Sequence, residues 1–190
     1  MGRHLLLIAP LVLGLAGPAL ADPATATITV TGEVSGTCHL GTPSDATLSL
    51  GSLVNSADGT LNPSIPNVST TIPGSWCNTG SIISVSATPL VAQGFSGSPP
   101  AGFTKAVNYT ASASGWAGSA ATFTTAGNTS GVVTGTPTPG SQTQADPAAN
   151  VITVGLSAYA SPSSTARLVA DPHYQGVITV TLQTTAAGGA

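Results

Sequence analysis

The acid–histidine pair in "ADPHY" is the stretch of this sequence that could carry out hydrolytic chemistry. Asp171 and His173 are two residues apart, and a serine brought close in space would complete a triad in which the histidine takes the serine proton. The same spacing around Pro172 is typical of a turn before a strand. No GxSxG motif accompanies the pair. We therefore interpret Asp171 as a turn residue.

The remaining acids form no catalytic or metal-binding pattern. A glycosidase needs two carboxylates that face one cleft, but Glu33 is the only glutamate and lies in a predicted strand, where we expect it to be exposed. The "NSADGT" stretch is a poor calcium loop because it lacks the run of acids that binds Ca²⁺. No HExxH metal motif occurs. The sequence predicts a non-enzymatic protein with no catalytic residue, cofactor or metal site.

Cys38 and Cys77 are the only cysteines. A zinc site would require His39 and His173 to converge with both thiolates, and a redox pair would favour a CxxC spacing, which is absent. In an exported chain an isolated pair favours a disulfide, whose loop of about 40 residues would stabilise the fold by roughly 4 kcal/mol. Trp76 is predicted to pack near this disulfide rather than to bind a ligand.

The N-terminal residues are typical of an export signal. Arg3 and His4 precede an apolar run from Leu5 to Leu15, and Ala19-Leu20-Ala21 is a small-x-small cleavage pattern. The run is shorter than the roughly 20 residues that span a membrane, and no later segment is predicted to do so. We predict a signal peptide at 1–21, one domain at 22–183, a flexible tail at 184–190, and secretion through the periplasm to the cell surface or beyond.

Charged residues make up only 5% of the chain. The predicted mature chain has two strong cations, Lys105 and Arg167, and six acids, for a formal charge of −4. Nucleic acid is excluded as a partner because phosphate binding requires clustered lysine and arginine. Long exposed helices are excluded as well, since their solvated faces normally carry such charges.

Alternation of apolar and polar residues predicts strands along most of the domain. Thr25–Val34 alternates threonine with apolar residues, "ATLSLGSL" puts Leu48 and Leu50 on one face, and residues 134–150 are predicted to be a long connection without a strand. Further strands have inward-facing sets, namely Ile83, Val85 and Ala87; Val107, Tyr109, Ala111 and Ala113; Phe123; Ile152, Val154, Leu156 and Ala158; and Ile178, Val180 and Leu182. About seven to nine short strands predict an all-β, antiparallel β-sandwich.

Four of these features together resemble chaperone–usher pilins and the related spore-coat-U-like secreted domains of bacteria. They are the opening "ATITVTGEVSGTC", the "ATLSLGSL" strand soon after the first cysteine, a second cysteine about forty residues later, and the final "GVITVTLQ" strand. The resemblance implies an immunoglobulin-like fold that lacks its last strand. The N-terminal strand of a neighbouring subunit fills the resulting groove.

The resemblance also implies roles for individual residues. Ala26, Ile28 and Val30 would be the side chains that plug a neighbour's groove, and Cys38 and Cys77 would be the family's disulfide. Ile178, Val180 and Leu182 would line the groove and face a periplasmic chaperone. Like subunits and an usher would be the other partners. The sequence leaves open whether Thr25–Val34 pairs within its own domain or with another copy.

A stand-alone adhesive or carbohydrate-binding sandwich is the alternative function. Sugar sites on β-sandwiches use exposed aromatic rings, and Trp116, Phe95 and Phe103 lie in or near loop-like sequence. The competing interpretation, which we favour, is that these rings fill the ends of the core.

Overall fold

The computed structural model describes residues 24–185, and in this range the chain is all-β. The predicted signal peptide at 1–21 and residues 186–190 of the predicted tail lie outside the described residues. Twelve strands are present in the described range: β1 (Cys38–His39), β2 (Val68–Cys77), β3 (Ser81–Ala87), β4 (Leu90–Ala92), β5 (Phe103–Thr104), β6 (Ala106–Ser114), β7 (Ala121–Thr124), β8 (Gly140–Gln144), β9 (Ala148–Ala160), β10 (Arg167–Leu168), β11 (Tyr174–Gln175) and β12 (Ile178–Thr184).

The strands form one large sheet and two smaller ones. The large sheet has the order β1-β2-β9-β6-β4-β11, with β7 also paired to β6, and a three-stranded sheet has the order β12-β3-β8. All of these pairs are antiparallel, whereas β5 and β10 form a short parallel pair. Residues 24–185 contain no helix long and apolar enough to cross a membrane.

The core is built from the alternating side chains that the sequence predicts. Ile83 and Val85 of the three-stranded sheet belong to the same buried cluster as Val107, Ile152 and Val154 of the large sheet. Tyr109, Ala111, Ala113, Phe123 and Leu156 are buried as well. Burial of a full aliphatic side chain contributes about 1.5–3 kcal/mol. This shared buried cluster therefore accounts for much of the stability.

The predicted disulfide between Cys38 and Cys77 is confirmed, with 39 residues of sequence separation. The two cysteines are also cross-strand partners in the β1–β2 ladder. The ladder and the covalent bond thus fix the same short strand, β1, to the edge of the large sheet.

Two predicted strands are absent from the structure. Residues 24–34 form no strand, since an extended segment without a hydrogen-bonded neighbour is not part of a sheet. The "ATLSLGSL" segment also lacks a ladder, although Leu48 and Leu50 are half-buried and Ser49 is exposed. Gly51 follows at a φ of 70°, a left-handed conformation that glycine readily adopts.

Two further predictions are wrong. The connection at 134–150 contains β8 and the start of β9, because the polar sequence "GSQTQ" pairs with β3 and the backbone does not require apolar side chains to do so. Ala158 is exposed rather than inward-facing. Its φ is 51°, and this left-handed residue lies where the β6–β9 register shifts, so the alternation stops after Leu156.

The described residues fall into two units, with a boundary between Val34 and Ser35. In the first unit, residues 24–34 are exposed along their whole length. All twelve strands belong to the second unit.

Candidate functional site

The Asp171–His173 pair forms a turn, as the turn interpretation predicts. Asp171 Oδ1 accepts a hydrogen bond from the His173 backbone N–H at 2.7 Å, and Oδ2 accepts one from the Gly94 backbone N–H, also at 2.7 Å. The bonds from the His173 and Gly94 amides hold the pKa of the Asp171 carboxyl below its ordinary value. The carboxylate thus joins two loops through backbone amides.

The two cations of the second unit also bind backbone carbonyls. Lys105 Nζ donates to the Gly97 carbonyl at 2.8 Å, and Arg167 Nε donates to the Asp58 carbonyl at 3.0 Å. No group of three His, Cys, Asp or Glu residues in the described range is arranged to hold a metal ion. Lys105 and Arg167 therefore serve local loop structure.

Of the three aromatic side chains predicted to fill the ends of the core, only Trp116 is fully buried. Trp116 is buried and its indole N–H donates to Ser81 Oγ at 3.1 Å, as the core interpretation predicts. Phe95 is half-buried and Phe103 is 36% exposed. Trp76, predicted to pack near the disulfide, is 41% exposed and stacks on His39 in the residue pair next to Cys38 and Cys77.

An apolar groove of about 440 Å³ opens on the second unit. Its floor consists of buried core residues, Ile72, Leu90, Tyr109, Val154 and Leu156. The groove therefore reaches side chains of the buried core cluster.

Strand β12 forms one wall of this groove through Ile178 and Val180. The strand pairs with β3 on one side only and is the end strand of its sheet among the described residues. Val180 is the cross-strand partner of Val85, yet Val85 is fully buried whereas Val180 is half-buried. This difference shows that β12 lacks cover on its outer edge. Leu182 packs against the core but does not line the groove.

A second wall of the groove comes from the segment between Asp45 and Leu50, which includes Leu48. The Ser44 and Asp45 amides bond to Thr71 and Thr70 of β2, but in the described residues the segment 46–51 makes no backbone–backbone hydrogen bond. Both walls therefore contain backbone groups without a strand partner among the described residues.

The groove contains little charge. Burial and the nearby Tyr159 raise the pKa of Tyr109 to about 12, and burial and the nearby Asp171 raise the pKa of Tyr174 to about 12, so both phenols are neutral at physiological pH. Tyr174 also donates its hydroxyl to the Val169 carbonyl at 2.8 Å. Asp45 is the one acid on the lining. Such a surface favours an apolar, uncharged occupant.

The predicted plugging residues are accessible in the first unit. Ile28 is 85% exposed and Val30 is 90% exposed, and Ala26 is exposed too. Large aliphatic side chains are normally buried, whereas Ile28 and Val30 are open to solvent on one short segment.

Of the three residues predicted to line a groove, Ile178 and Val180 line this one and Leu182 does not. The sequence pattern predicts a strand in "ATLSLGSL", at 46–53, because no local signal distinguishes a paired strand from a segment with unpaired backbone. The exposure of Trp76 was missed too, although its place in the alternation, between buried Ser75 and buried Cys77, could have indicated it.

Comparison of the chain with protein-family models, curated proteins and solved structures finds no match.

Proposed function

We propose that this protein is an exported, non-enzymatic structural subunit that assembles by strand donation, similar to a fimbrial subunit. In this proposal the second unit is an immunoglobulin-like sandwich that lacks one strand. The N-terminal segment of a neighbouring copy supplies that strand. The observation that carries the proposal is the groove between two walls of unpaired backbone.

A strand placed in this groove would satisfy both walls. Its backbone amides and carbonyls could pair with the free edge of β12, and with residues 46–51 on the other side. Alternate side chains of an inserted strand point the same way, so every second residue would reach the apolar floor formed by Ile72 and Leu156. This is the β-strand addition mode of recognition.

The N-terminal segment has the pattern that such a site requires. Ala26, Ile28 and Val30 fall on one face of an extended chain, and Thr27 and Thr29 fall on the other. Burial of Ile28 and Val30 together would contribute about 3–6 kcal/mol. The predicted signal peptide and the disulfide support export to an oxidising compartment.

Exposed edges of this kind would have to be covered before assembly. An uncovered strand edge next to apolar side chains promotes uncontrolled association. The proposal therefore includes a periplasmic chaperone that covers Ile178 and Val180, and an usher that releases subunits at the cell surface.

The test compares substitutions on the two faces of the donor segment in the full mature chain. Ile28→Asp with Val30→Asp should leave a folded monomer, because carboxylates cannot enter an apolar floor. Thr27→Asp with Thr29→Asp adds the same charge on the opposite face and should still assemble. Light scattering after size-exclusion chromatography and electron microscopy measure the outcome. A wild-type chain that folds alone and stays monomeric at high concentration contradicts the proposal.

A further inference from the structure

Trp76 and His39 form an exposed aromatic pair on the outer face of the large sheet. Their ring centroids are 6.1 Å apart with an interplanar angle of 28°, and Trp76 is 41% exposed. Tryptophan is highly buried on average. An exposed tryptophan stacked on a second ring, away from the core, is therefore a candidate contact surface for a ligand.

The backbone under this pair is rigid. His39 and Trp76 are cross-strand partners, and the neighbouring pair, Cys38 and Cys77, is joined by the disulfide. A ligand that binds rings already held in place loses less conformational entropy than one that must order a loop.

One side of the Trp76 ring faces small neighbours. The cross-strand partner of Trp76 on β9 is Ala149, and the next outward position along β9 is Val151, which is 51% exposed. Alanine leaves room beside the indole, so a ligand that lies along β9 can contact the ring and the Val151 side chain together.

Hydroxyl groups cover the rest of the same face. Thr71, Thr153 and Ser114 form one row across β2, β9 and β6, and Ser112 and Thr122 continue the pattern in the next row across β6 and β7. These rows begin about 13 Å from Ala149, at about 3.3 Å per residue along a strand. Thr71 Oγ1 is bonded to Ser44 Oγ at 3.0 Å, and Ser112 and Ser114 donate to the Gly155 and Thr153 carbonyls at 3.4 Å. A hydroxyl can both donate and accept a hydrogen bond, so the two serine oxygens can still accept one from a ligand.

The strands of this face carry no formal charge, and the acids close to them are Asp146, before β9, and Asp45, whose amide bonds to Thr70 of β2. Within the described residues, strands β1, β2, β9, β6 and β7 contain no Asp, Glu, Lys or Arg. An anionic ligand would find no cation to pair with, and a purely apolar one would cover hydroxyls without satisfying them.

We propose that this face binds a neutral, extended oligosaccharide, with the indole of Trp76 against the C–H face of one sugar ring. The sugar hydroxyls then pair with the Thr and Ser hydroxyls of the rows described above and with the His39 imidazole. This site is separate from the groove, and it does not require strand donation.

Tryptophan fluorescence of the full mature chain tests this proposal. Trp116 is buried and Trp76 is exposed, so a ligand on this face changes the signal of Trp76. The probes are the neutral hexasaccharides of cellulose, chitin, starch, xylan and mannan, with oligogalacturonate as the anionic comparison. We expect at least one neutral probe to bind saturably and oligogalacturonate to give no shift.

Three variants locate the contact by affinity electrophoresis or calorimetry. Trp76→Ala and His39→Ala should each weaken binding of the responding probe, the first by about tenfold or more. Phe103→Ala removes another exposed ring and should leave the affinity unchanged. His39→Ala keeps the test decisive if Trp76→Ala fails to fold. The proposal is overturned if no neutral probe binds or if the anionic probe binds equally well. It is also overturned if Trp76→Ala and His39→Ala both keep full affinity. The strand-donation proposal is unaffected by each of these outcomes, because the donor-segment variants test it on another surface.

Discussion

At the residue scale, two tryptophans show how burial decides a role. Trp116 and Ser81 are buried, and one hydrogen bond pairs the indole N–H with the serine hydroxyl. This bond is important because an unpaired buried polar group destabilises a fold by about 1–3 kcal/mol. Trp76 lies next to a buried cysteine and is exposed. The same residue type thus stabilises the core at one position and offers a contact surface at the other.

Trp116→Phe should lower the free energy of unfolding by about 2–4 kcal/mol, since it leaves both a void and an unpaired Ser81 hydroxyl. Trp76→Phe is the matched control on the surface and should change the free energy of unfolding by about 0.5 kcal/mol or less. Urea denaturation followed by circular dichroism measures both. Equal losses in the two variants would contradict the assigned burial.

Asp171 makes the fold sensitive to acid. Hydrogen bonds from the His173 and Gly94 amides lower the pKa of its carboxyl, so the folded state binds this proton less readily than the unfolded state does. The stabilisation is present above the ordinary carboxyl pKa and is lost as the pH falls through the lower, folded value.

Asp171→Asn should therefore lower the melting temperature at pH 7, and its effect should shrink as the pH falls below about 4 towards the lowered pKa of the folded-state carboxyl, where the wild-type carboxyl becomes protonated. Asp146→Asn in an exposed loop is the control. Differential scanning calorimetry across pH 3 to 7 measures the difference. A pH-independent effect of Asp171→Asn would show that the carboxylate bonds do not stabilise the fold.

At the element scale, the polar strand β8 is held by close backbone contact. Gly140 pairs with Val85 of β3, and a Cβ at this position would collide with the backbone carbonyl of Thr122 in β7. The strand carries no apolar residue, so its position depends on the hydrogen bonds to β3 and on the space that glycine leaves.

Gly140→Ala should displace β8 and lower the free energy of unfolding by about 1–3 kcal/mol. Gly118→Ala is the matched control, because nothing lies within 4 Å of a Cβ there. Hydrogen exchange should show faster exchange in β3 and β8 for Gly140→Ala only. Unchanged protection of β8 would contradict the close contact with Thr122.

At the scale of the whole molecule, the proposed strand donation would make stability depend on a partner. A ligand that binds only the folded state stabilises it, by about 2.7 kcal/mol at a hundredfold excess over its Kd. The mature chain with Ile28→Asp and Val30→Asp should stay a monomer with an empty groove, and it is the form in which this effect can be measured.

A peptide of residues 24–34 should raise the melting temperature of that variant in a concentration-dependent way. A peptide with the same two aspartates should have no effect, because it cannot fill the apolar floor. Thermal unfolding with increasing peptide measures the shift. If both peptides act alike, the stabilisation does not arise from the groove.

Much of the second unit could be predicted from local pattern. The alternation at Ile83 and Val85 and at Ile152 and Val154 identified inward faces because the side-chain period of a strand is two residues. The pairing of Cys38 with Cys77 followed from an isolated cysteine pair in a chain with an export signal. Low charge predicted the absence of long exposed helices.

Pairing between distant segments could not be predicted in this way. The alternation in Thr25–Val34 and around Leu48 is that of a strand, but a strand exists only where a neighbour supplies hydrogen bonds, and that neighbour is remote in sequence. The polar β8 shows the converse, since it pairs without an apolar pattern. The Ala158 side chain is exposed because its left-handed backbone conformation ends the alternation of side-chain directions.

The sequence by itself determined that this chain is β-rich, nearly uncharged and joined by one disulfide, because composition, side-chain period and cysteine number are local properties. Only the tertiary structure decided which strand edges are paired. It also decided that the groove beside β12 is open and that Trp76 faces outward. Those features depend on the register between segments far apart in the chain, which no single stretch of residues encodes.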